Sequence, residues 1–208
     1  LIPVLIVFWE DIKEILYFKK EKRYFIFLII IASIPTALMG VFFEDFFEKL
    51  FSSTLSTASM LIVTGFILYL GDNLADYDKE ITNFKWLNAV LVGIAQGIAI
   101  IPGISRSGST ITASLIQGLK KEEAARFSFI LSIPVIGGAG LLKVGEAVNT
   151  GVTNFNMTAI ILGIISSIIS GYIAIRYFIY ILKKQKLIYF SYYCWSIGTI
   201  ILLYEGLF

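Results

Sequence analysis

The sequence predicts an all-α, polytopic membrane protein, and three observations carry this prediction. Hydrophobic residues make up 57% of the 208 residues, and the mean hydropathy is +0.83. Charged residues make up only 15%, well below the roughly one quarter that is usual in soluble domains. Several apolar runs approach or exceed the roughly 20 residues that a helix needs to cross a bilayer. We therefore expect lipid to surround most of the chain.

The individual spans follow from these apolar runs. The clearest covers residues 24–43 and contains no charged residue. Proline inside such a run is tolerated when neighbouring helices satisfy the freed carbonyl, so Pro35 and Pro134 are interpreted as packing kinks. Together with an apolar stub at residues 1–9, the runs predict about five to six transmembrane helices, of which the later ones cover residues 57–71, 127–142, 157–182 and 188–207.

Composition also excludes several classes of function. A net charge of +2, scattered between apolar runs, lacks the concentrated basic face that nucleic-acid binding requires. Cys194 is the only cysteine, so no internal disulfide can form, and the chain contains no histidine. Any reaction on residues of this chain must therefore proceed without an imidazole.

The distribution of lysine and arginine predicts the orientation. Basic residues cluster at residues 13–23 and again at residues 183–186, and short basic segments lie on the cytoplasmic side. Residues 44–53 and 143–156 are poor in basic residues, which favours the outer side. The alternation holds only if residues 86–119 do not cross the membrane.

We therefore predict one integral-membrane domain over residues 1–208, in which residues 86–119 form a re-entrant hairpin of two half-helices and a turn. Non-helical backbone at membrane depth is tolerated only where it is buried in protein or lines a watery cavity. The turn of this hairpin is thus the candidate site.

That turn surrounds one arginine with small and hydroxylated residues. An arginine at membrane depth costs several kcal/mol unless it faces a polar cavity and a partner, and its planar fork matches phosphate oxygens. Glycines let backbone N–H groups approach an anion, and the following half-helix presents its positive N-terminus. The candidate phosphate-binding residues are Gly103, Ser105, Arg106, Ser107, Gly108 and Thr110, with Ser107 or Ser109 able to cap the helix. An ordinary turn, in which Arg106 pairs with a carboxylate or with carbonyls, is the alternative.

The run PGISRSGST followed by FSF-x-LS-IP resembles the second motif of the undecaprenyl-pyrophosphate phosphatase family, the bacitracin-resistance proteins. The segments IPTALMGVFFEDFFEKLF and GYIAIRYFIYILKKQ resemble other parts of the same family, so the resemblance covers nearly the whole chain. It implies removal of the terminal phosphate from an undecaprenyl pyrophosphate lipid during cell-wall synthesis. It also implies that Ser105, Arg106 and Thr110 are the catalytic, phosphate-binding serine, arginine and threonine.

The resemblance also implies an inverted repeat whose first half carries carboxylates and a histidine (QG-x-x-E-F-L-P, then SSSGH). Gln96 and Gly97 match the start of that motif, but Ile100 stands in place of its glutamate and Ser109 in place of its histidine. We therefore expect an N-terminally truncated chain that retains the phosphate-binding half. A divalent cation, Mg²⁺ or Ca²⁺, is expected from the family, with its ligands in the missing motif and none in this chain.

The other polar residues have simpler interpretations. Arg176 is expected to extend towards the basic end of its helix, and Cys194 to be a buried packing residue. Glu122 and Glu123 are interpreted as a solvated helix start near Arg126. The acidic residues Asp72, Asp76, Asp78 and Glu80 lack the spacing of a calcium loop and are interpreted as a solvated loop.

The leading hypothesis is a multi-pass phosphatase of the bacterial inner membrane with its active site towards the outer face. Its partners would be a polyprenyl pyrophosphate and the bilayer, without nucleic acid, and a homodimer is left open. The rival is a polyprenyl-phosphate transporter or flippase, because transporters also use re-entrant hairpins. A third hypothesis is a fragment that binds the headgroup without hydrolysing it.

Overall fold

The fold is entirely helical over the residues that a computed structural model describes, which are 1–74, 78–149, 156–184 and 186–207. These ranges contain no strand, and the predicted all-α class is confirmed. In chain order the α-helices are α1 Ile2–Val7, α2 Trp9–Leu16, α3 Arg23–Phe42, α4 Glu44–Phe51, α5 Thr54–Asn73, α6 Trp86–Ile98, α7 Arg106–Ile116, α8 Lys121–Asn149, α9 Met157–Lys184 and α10 Ile188–Leu207.

Four of the described helices, α3, α5, α8 and α9, are long and apolar enough to cross a membrane. A helix of 20 residues, such as α3, is roughly 30 Å long, which matches the hydrocarbon core. The predicted span 188–207 forms α10 with the expected bounds, but α10 is not among these four. Its tyrosines and Glu205 lower its hydropathy, so the structure supports four of the five predicted spans.

Small residues allow the helices to approach closely at two contacts. A Cβ atom on Gly93 of α6 would collide with the Ala32 carbonyl of α3, and the Thr36 hydroxyl donates to the Gly93 carbonyl at 2.9 Å. On the other side, Gly65 of α5 leaves room for Trp195 of α10. The result is a bundle in which α3, α5 and α8 all pack against the α6–α7 pair.

The two ends of the α6–α7 pair lie together at one end of the bundle. The Lys79 N–H donates to the Gly118 carbonyl at 2.8 Å, and the Lys120 N–H donates to the Lys79 carbonyl at 3.0 Å. The Tyr24 hydroxyl, at the start of α3, donates to the Phe84 carbonyl at 2.7 Å. The segment predicted as a hairpin therefore returns to the end of the bundle from which it starts.

The segment from residue 143 onwards differs from the predicted outer loop, because α8 continues as helix to Asn149. Exposed ion pairs accompany this extension: Lys143 lies 2.9 Å from Glu146 and 3.5 Å from Glu44 of α4. Charged pairs of this spacing support a helix where it leaves the apolar region.

Candidate functional site

The candidate site is the turn between two short helices that run side by side. Helix α6 has 13 residues and α7 has 11, so they extend roughly 20 Å and 17 Å, and neither can cross the hydrocarbon core alone. The turn that joins them lies at the end of the bundle opposite to the basic segments. Gly103 contacts Thr57 and Met60 in the first turns of α5, and Ile100 contacts Gly40 near the end of α3.

Ser105 is the N-cap of helix α7, and the expectation that Ser107 or Ser109 caps it is wrong because the helix already begins at Arg106. The Ser105 backbone is extended, and its side-chain oxygen accepts a hydrogen bond from the Gly108 N–H at 3.1 Å, as an N-cap residue does. A Cβ atom at residue 108 would press on the Ser105 hydroxyl and on Leu68. Gly108 thus keeps space for the cap, and the Ser105 hydroxyl retains its own proton to donate to a ligand.

Arg106 is the first residue of α7, and no ion pair within the described residues neutralises its charge. It is half-buried, and its Nη1 atom is buried without a hydrogen-bond partner. Within the described parts of the chain, no carboxylate lies within ion-pair distance of it. A buried guanidinium without a partner is costly, so this position favours an anion supplied from outside the protein.

Thr110 lies one turn further along α7 and is fully buried. Its Oγ1 atom is 2.9 Å from the Arg106 carbonyl oxygen and 2.6 Å from the Ser128 hydroxyl of α8. The hydroxyl therefore ties the first turn of α7 to α8 from behind. Ser105, Arg106 and the half-buried Ser107 lie at the end of the helix, whereas Thr110 faces the interior; its predicted contact with phosphate stays a prediction.

Gly103 is required by the backbone of the turn. Its φ angle is +92°, in the region that favours glycine, and a Cβ atom there would collide with the Thr57 carbonyl. The Thr64 hydroxyl of α5 donates to the Gly103 carbonyl at 2.8 Å and accepts from the Ser105 N–H at 3.0 Å. The turn is therefore held against α5 through its backbone.

Two further polar groups near the turn have no hydrogen-bond partner in the part of the chain that the structure describes. The Ser109 hydroxyl is buried, and so is the Oε1 atom of Gln96, whose Nε2 donates to Thr36 at 3.2 Å. Buried polar groups in proteins are nearly always hydrogen-bonded. Together with Arg106, they make this part of the interior polar and suited to water or a charged ligand.

Sequence reasoning missed Thr64 and Ser128, which contact the site from α5 and α8. Each is a hydroxylated residue inside a long apolar helix, where a hydroxyl needs a hydrogen-bond partner. That signal marks both residues as candidates. It does not show that both point at the same hairpin, because this depends on how the helices pack.

The fit to a divalent cation is poor in the described residues, which include no group of three or more aspartate, glutamate or cysteine side chains that could hold a metal. Glu122 is exposed as expected, but Glu123 is partly buried and lies 3.3 Å from Arg126, which also contacts Asp11 at 3.5 Å. These charged side chains form ion pairs with one another and not with residues of the turn. No step of a reaction can therefore be assigned to a metal held by these residues.

The other polar residues that the sequence singled out lie away from the turn. Arg176 is exposed and stacks over the Tyr172 ring at 5.5 Å, and Cys194 is buried as expected. Asp72 is at the end of α5, where its Oδ2 atom accepts from the Ile188 N–H at 2.6 Å, instead of lying in a solvated loop. Asp76 lies outside the described residues.

Comparison with known proteins gives a consistent result along the whole chain. The family model described as bacitracin resistance protein BacA matches residues 1–200. An undecaprenyl-diphosphatase of Halothermothrix orenii is 53% identical over all of this chain and 80% of its own length. An undecaprenyl-diphosphatase of Carboxydothermus hydrogenoformans is 42% identical over 99% of this chain and 79% of its own, and one of Alkaliphilus metalliredigens is 46% identical over 86% and 65%.

The extent of these alignments bears on the expected truncation. The chain spans about four-fifths of the Halothermothrix relative, so the coverage does not support the expectation that only half of the enzyme is present. The resemblance stated on the turn motif is confirmed. The chain belongs to the bacitracin resistance protein BacA family.

Proposed function

We propose that this chain is an undecaprenyl-diphosphatase, which hydrolyses the lipid diphosphate to the monophosphate within the membrane. Membership of the BacA family and the names of the relatives support the reaction class. The observation that carries the assignment to a site is Arg106 at the N-terminus of α7, a half-buried cation whose buried Nη1 atom has no hydrogen-bond partner among the described residues. A diphosphate headgroup supplies the anion that this position lacks.

The first task of the turn is to bind the terminal phosphate. The Arg106 guanidinium pairs with two phosphate oxygens, and the free N–H groups at the start of α7 add donors and a favourable helix dipole. Ser105 and Ser107 lie in the same first turn and provide hydroxyl donors. A helix terminus already fixed by its N-cap presents these donors without reorganisation when the substrate arrives.

The second task is to stabilise the charge that moves during phosphoryl transfer. Water attacks the terminal phosphorus, the bond from this phosphorus to the bridging oxygen breaks, and the lipid monophosphate leaves with that oxygen. Negative charge spreads over the equatorial oxygens of the transferred group and onto the leaving oxygen. Arg106 is placed to stabilise this charge, and in such a site one arginine contributes about 10³- to 10⁵-fold in rate.

We place the reaction towards the outer face of a multi-pass inner-membrane protein. The turn lies beside Thr57 and Gly40, at the ends of α5 and α3 that are remote from the basic residues 13–23. Short basic segments remain on the cytoplasmic side, which puts the turn near the opposite surface. A polar headgroup at that surface reaches the turn while the isoprenoid chain stays in the bilayer.

The cation expected from the family remains part of the proposal for the whole reaction, although the described residues offer no cluster to hold it. When bound, a divalent cation neutralises diphosphate charge and so complements Arg106. Phosphate release after exhaustive treatment with EDTA, and again after adding Mg²⁺ or Ca²⁺, tests this. Release that persists undiminished with EDTA would contradict the cation requirement.

The central experiment measures phosphate release from undecaprenyl diphosphate by the purified protein in detergent. We expect Arg106→Ala to lose at least about 10³-fold in kcat/KM. The matched control is Arg176→Ala, which removes the exposed arginine of α9 that stacks on Tyr172, and it should stay within about threefold of the wild type. Equal losses in both variants would contradict the assignment to the turn.

The same preparation separates the hydrolase from the transporter hypothesis. Lipid binding that depends on Arg106, without release of phosphate at any cation concentration, would favour transport or a fragment that only binds. Chemical crosslinking in detergent tests the homodimer, which stays a prediction.

A labelling experiment tests the orientation. On a Cys194→Ser background, the exposed positions Ser52 and Lys19 are each replaced by cysteine in intact cells. A maleimide that cannot cross the membrane should label the Ser52→Cys variant and spare Lys19→Cys. The reverse pattern would place the turn on the cytoplasmic side.

A further inference from the structure

One side chain outside the hairpin holds the backbone of the turn on both sides of Ile104. The Thr64 hydroxyl donates its proton to the Gly103 carbonyl at 2.8 Å and accepts from the Ser105 N–H at 3.0 Å. Both contacts are to backbone groups, so they fix the backbone of the turn and not merely a side chain that could rotate away. Thr64 is 1% exposed, and water cannot replace it without rearrangement.

The position of Thr64 on α5 makes it a rigid anchor. It lies in the middle of a 20-residue helix, and the neighbouring Gly65 packs closely against Trp195 of α10. The Trp195 Nε1 atom donates to the Ile62 carbonyl at 3.2 Å, which ties the same stretch of α5 to α10. The stretch of α5 that carries Thr64 is thus held in place by α10, independently of the turn.

The two contacts lie directly before the groups that bind phosphate. Ser105 is the N-cap of α7 and Arg106 is the next residue, so the direction of the Ser105 N–H sets where the helix begins. Gly103 has a φ angle of +92°, which glycine adopts without strain, but because glycine can adopt many other conformations the turn needs contacts that keep it in this one. The hydroxyl of Thr64 supplies that support at the closest position.

We infer that Thr64 is a positioning residue for catalysis: its hydroxyl fixes the turn so that Ser105 and Arg106 meet the diphosphate in a productive geometry. This inference rests on the proposed function. Without the hydroxyl, the Gly103 carbonyl and the Ser105 N–H both lose their partner, and the turn relaxes to find others. A shift of about 1 Å at a catalytic group is enough to cost about 100-fold in rate.

The test compares Thr64→Val, which keeps the shape and removes the hydroxyl, with Thr64→Ser, which keeps the hydroxyl. The matched control is Thr112→Val at the same α5–α7 interface. Thr112 is 3% exposed and lies against Gly71, and its hydroxyl has no hydrogen-bond partner among the described residues. All variants are measured for phosphate release from undecaprenyl diphosphate and for thermal midpoint in detergent.

We expect Thr64→Val to lose about 10- to 100-fold in kcat, with a smaller change in KM because the isoprenoid chain binds elsewhere. Thr64→Ser and Thr112→Val should remain within about threefold of the wild type. Unchanged kcat in Thr64→Val, an equal loss in Thr64→Ser, or an equal loss in Thr112→Val would each overturn the inference. If Thr64→Val does not fold, Thr64→Ala compared with Thr64→Ser makes the same distinction.

Failure of the proposed function gives a different pattern. A wild-type protein that releases no phosphate refutes the hydrolase, and binding of undecaprenyl diphosphate then decides the role of Thr64. Thr64→Val should weaken this binding about three- to tenfold, in the same direction as Arg106→Ala, while Thr112→Val leaves it unchanged. Wild-type affinity in Thr64→Val would overturn the positioning role.

Discussion

Replacing Gly103 by alanine perturbs the turn through its backbone alone. A residue with a Cβ atom at a φ angle of +92° costs about 1–3 kcal/mol. The new Cβ atom would also collide with the Thr57 carbonyl and press on Met60. Because the Thr57 carbonyl is part of the helical backbone of α5, the turn must move and the helix stays in place.

The size of the effect follows from this strain. If about 3 kcal/mol is relieved by moving the turn away from α5, the fraction of molecules with the native turn falls by about 100-fold, since 1.4 kcal/mol corresponds to a factor of ten. The contacts of Thr64 with the turn are lost in the same movement. We therefore expect Gly103→Ala to lower kcat/KM for undecaprenyl diphosphate about 100-fold, with a modest fall in thermal midpoint.

Phosphate release in detergent, measured beside the thermal midpoint, checks this prediction. Gly138→Ala is the matched control, because Gly138 lies within α8 and a Cβ atom there meets nothing within 4 Å. Alanine in a helix interior should be neutral or stabilise by up to about 1 kcal/mol. Activity of Gly103→Ala within about threefold of the wild type would refute the reasoning, since the turn would then tolerate a side chain.

Three further predictions concern other parts of the fold. Gly93→Ala should destabilise the protein by about 1–3 kcal/mol, because the added methyl group overpacks the α3–α6 contact; an unchanged thermal midpoint would count against this packing. Thr110→Val should lower both midpoint and kcat by breaking the contact with Ser128, and a variant with full kcat would show that this contact does not support the site. A hydrogen bond from Lys19 lowers the pKa of the Glu14 carboxyl. This contact is therefore present above the usual carboxyl pKa and is lost as the pH falls through the lowered value. An NMR titration of the carboxyl groups should give Glu14 a midpoint below that of an ordinary glutamate.

Much of the candidate site could be predicted because its residues are close neighbours in the sequence. Arg106 as the cation of the turn and Gly103 as one of its glycines follow from one short motif in an apolar setting, whereas the N-cap is Ser105 and not the expected Ser107 or Ser109. The bounds of the long helices follow from the length of the apolar runs. The extension of α8 was missed because charged residues near 143 pair on a helix and support it beyond the membrane.

By itself, the sequence determined the helical class, the membrane setting and the family motif of the turn, because each depends on composition or on neighbours along the chain. Only the tertiary structure decided which distant residues support that motif. Thr64 is 41 residues from Ser105, and Ser128 is 18 residues from Thr110, yet each lies within hydrogen-bond distance of its partner. The rotation of one helix against another brings them together, and this rotation depends on packing contacts such as that between Gly93 and Ala32, which no local pattern encodes.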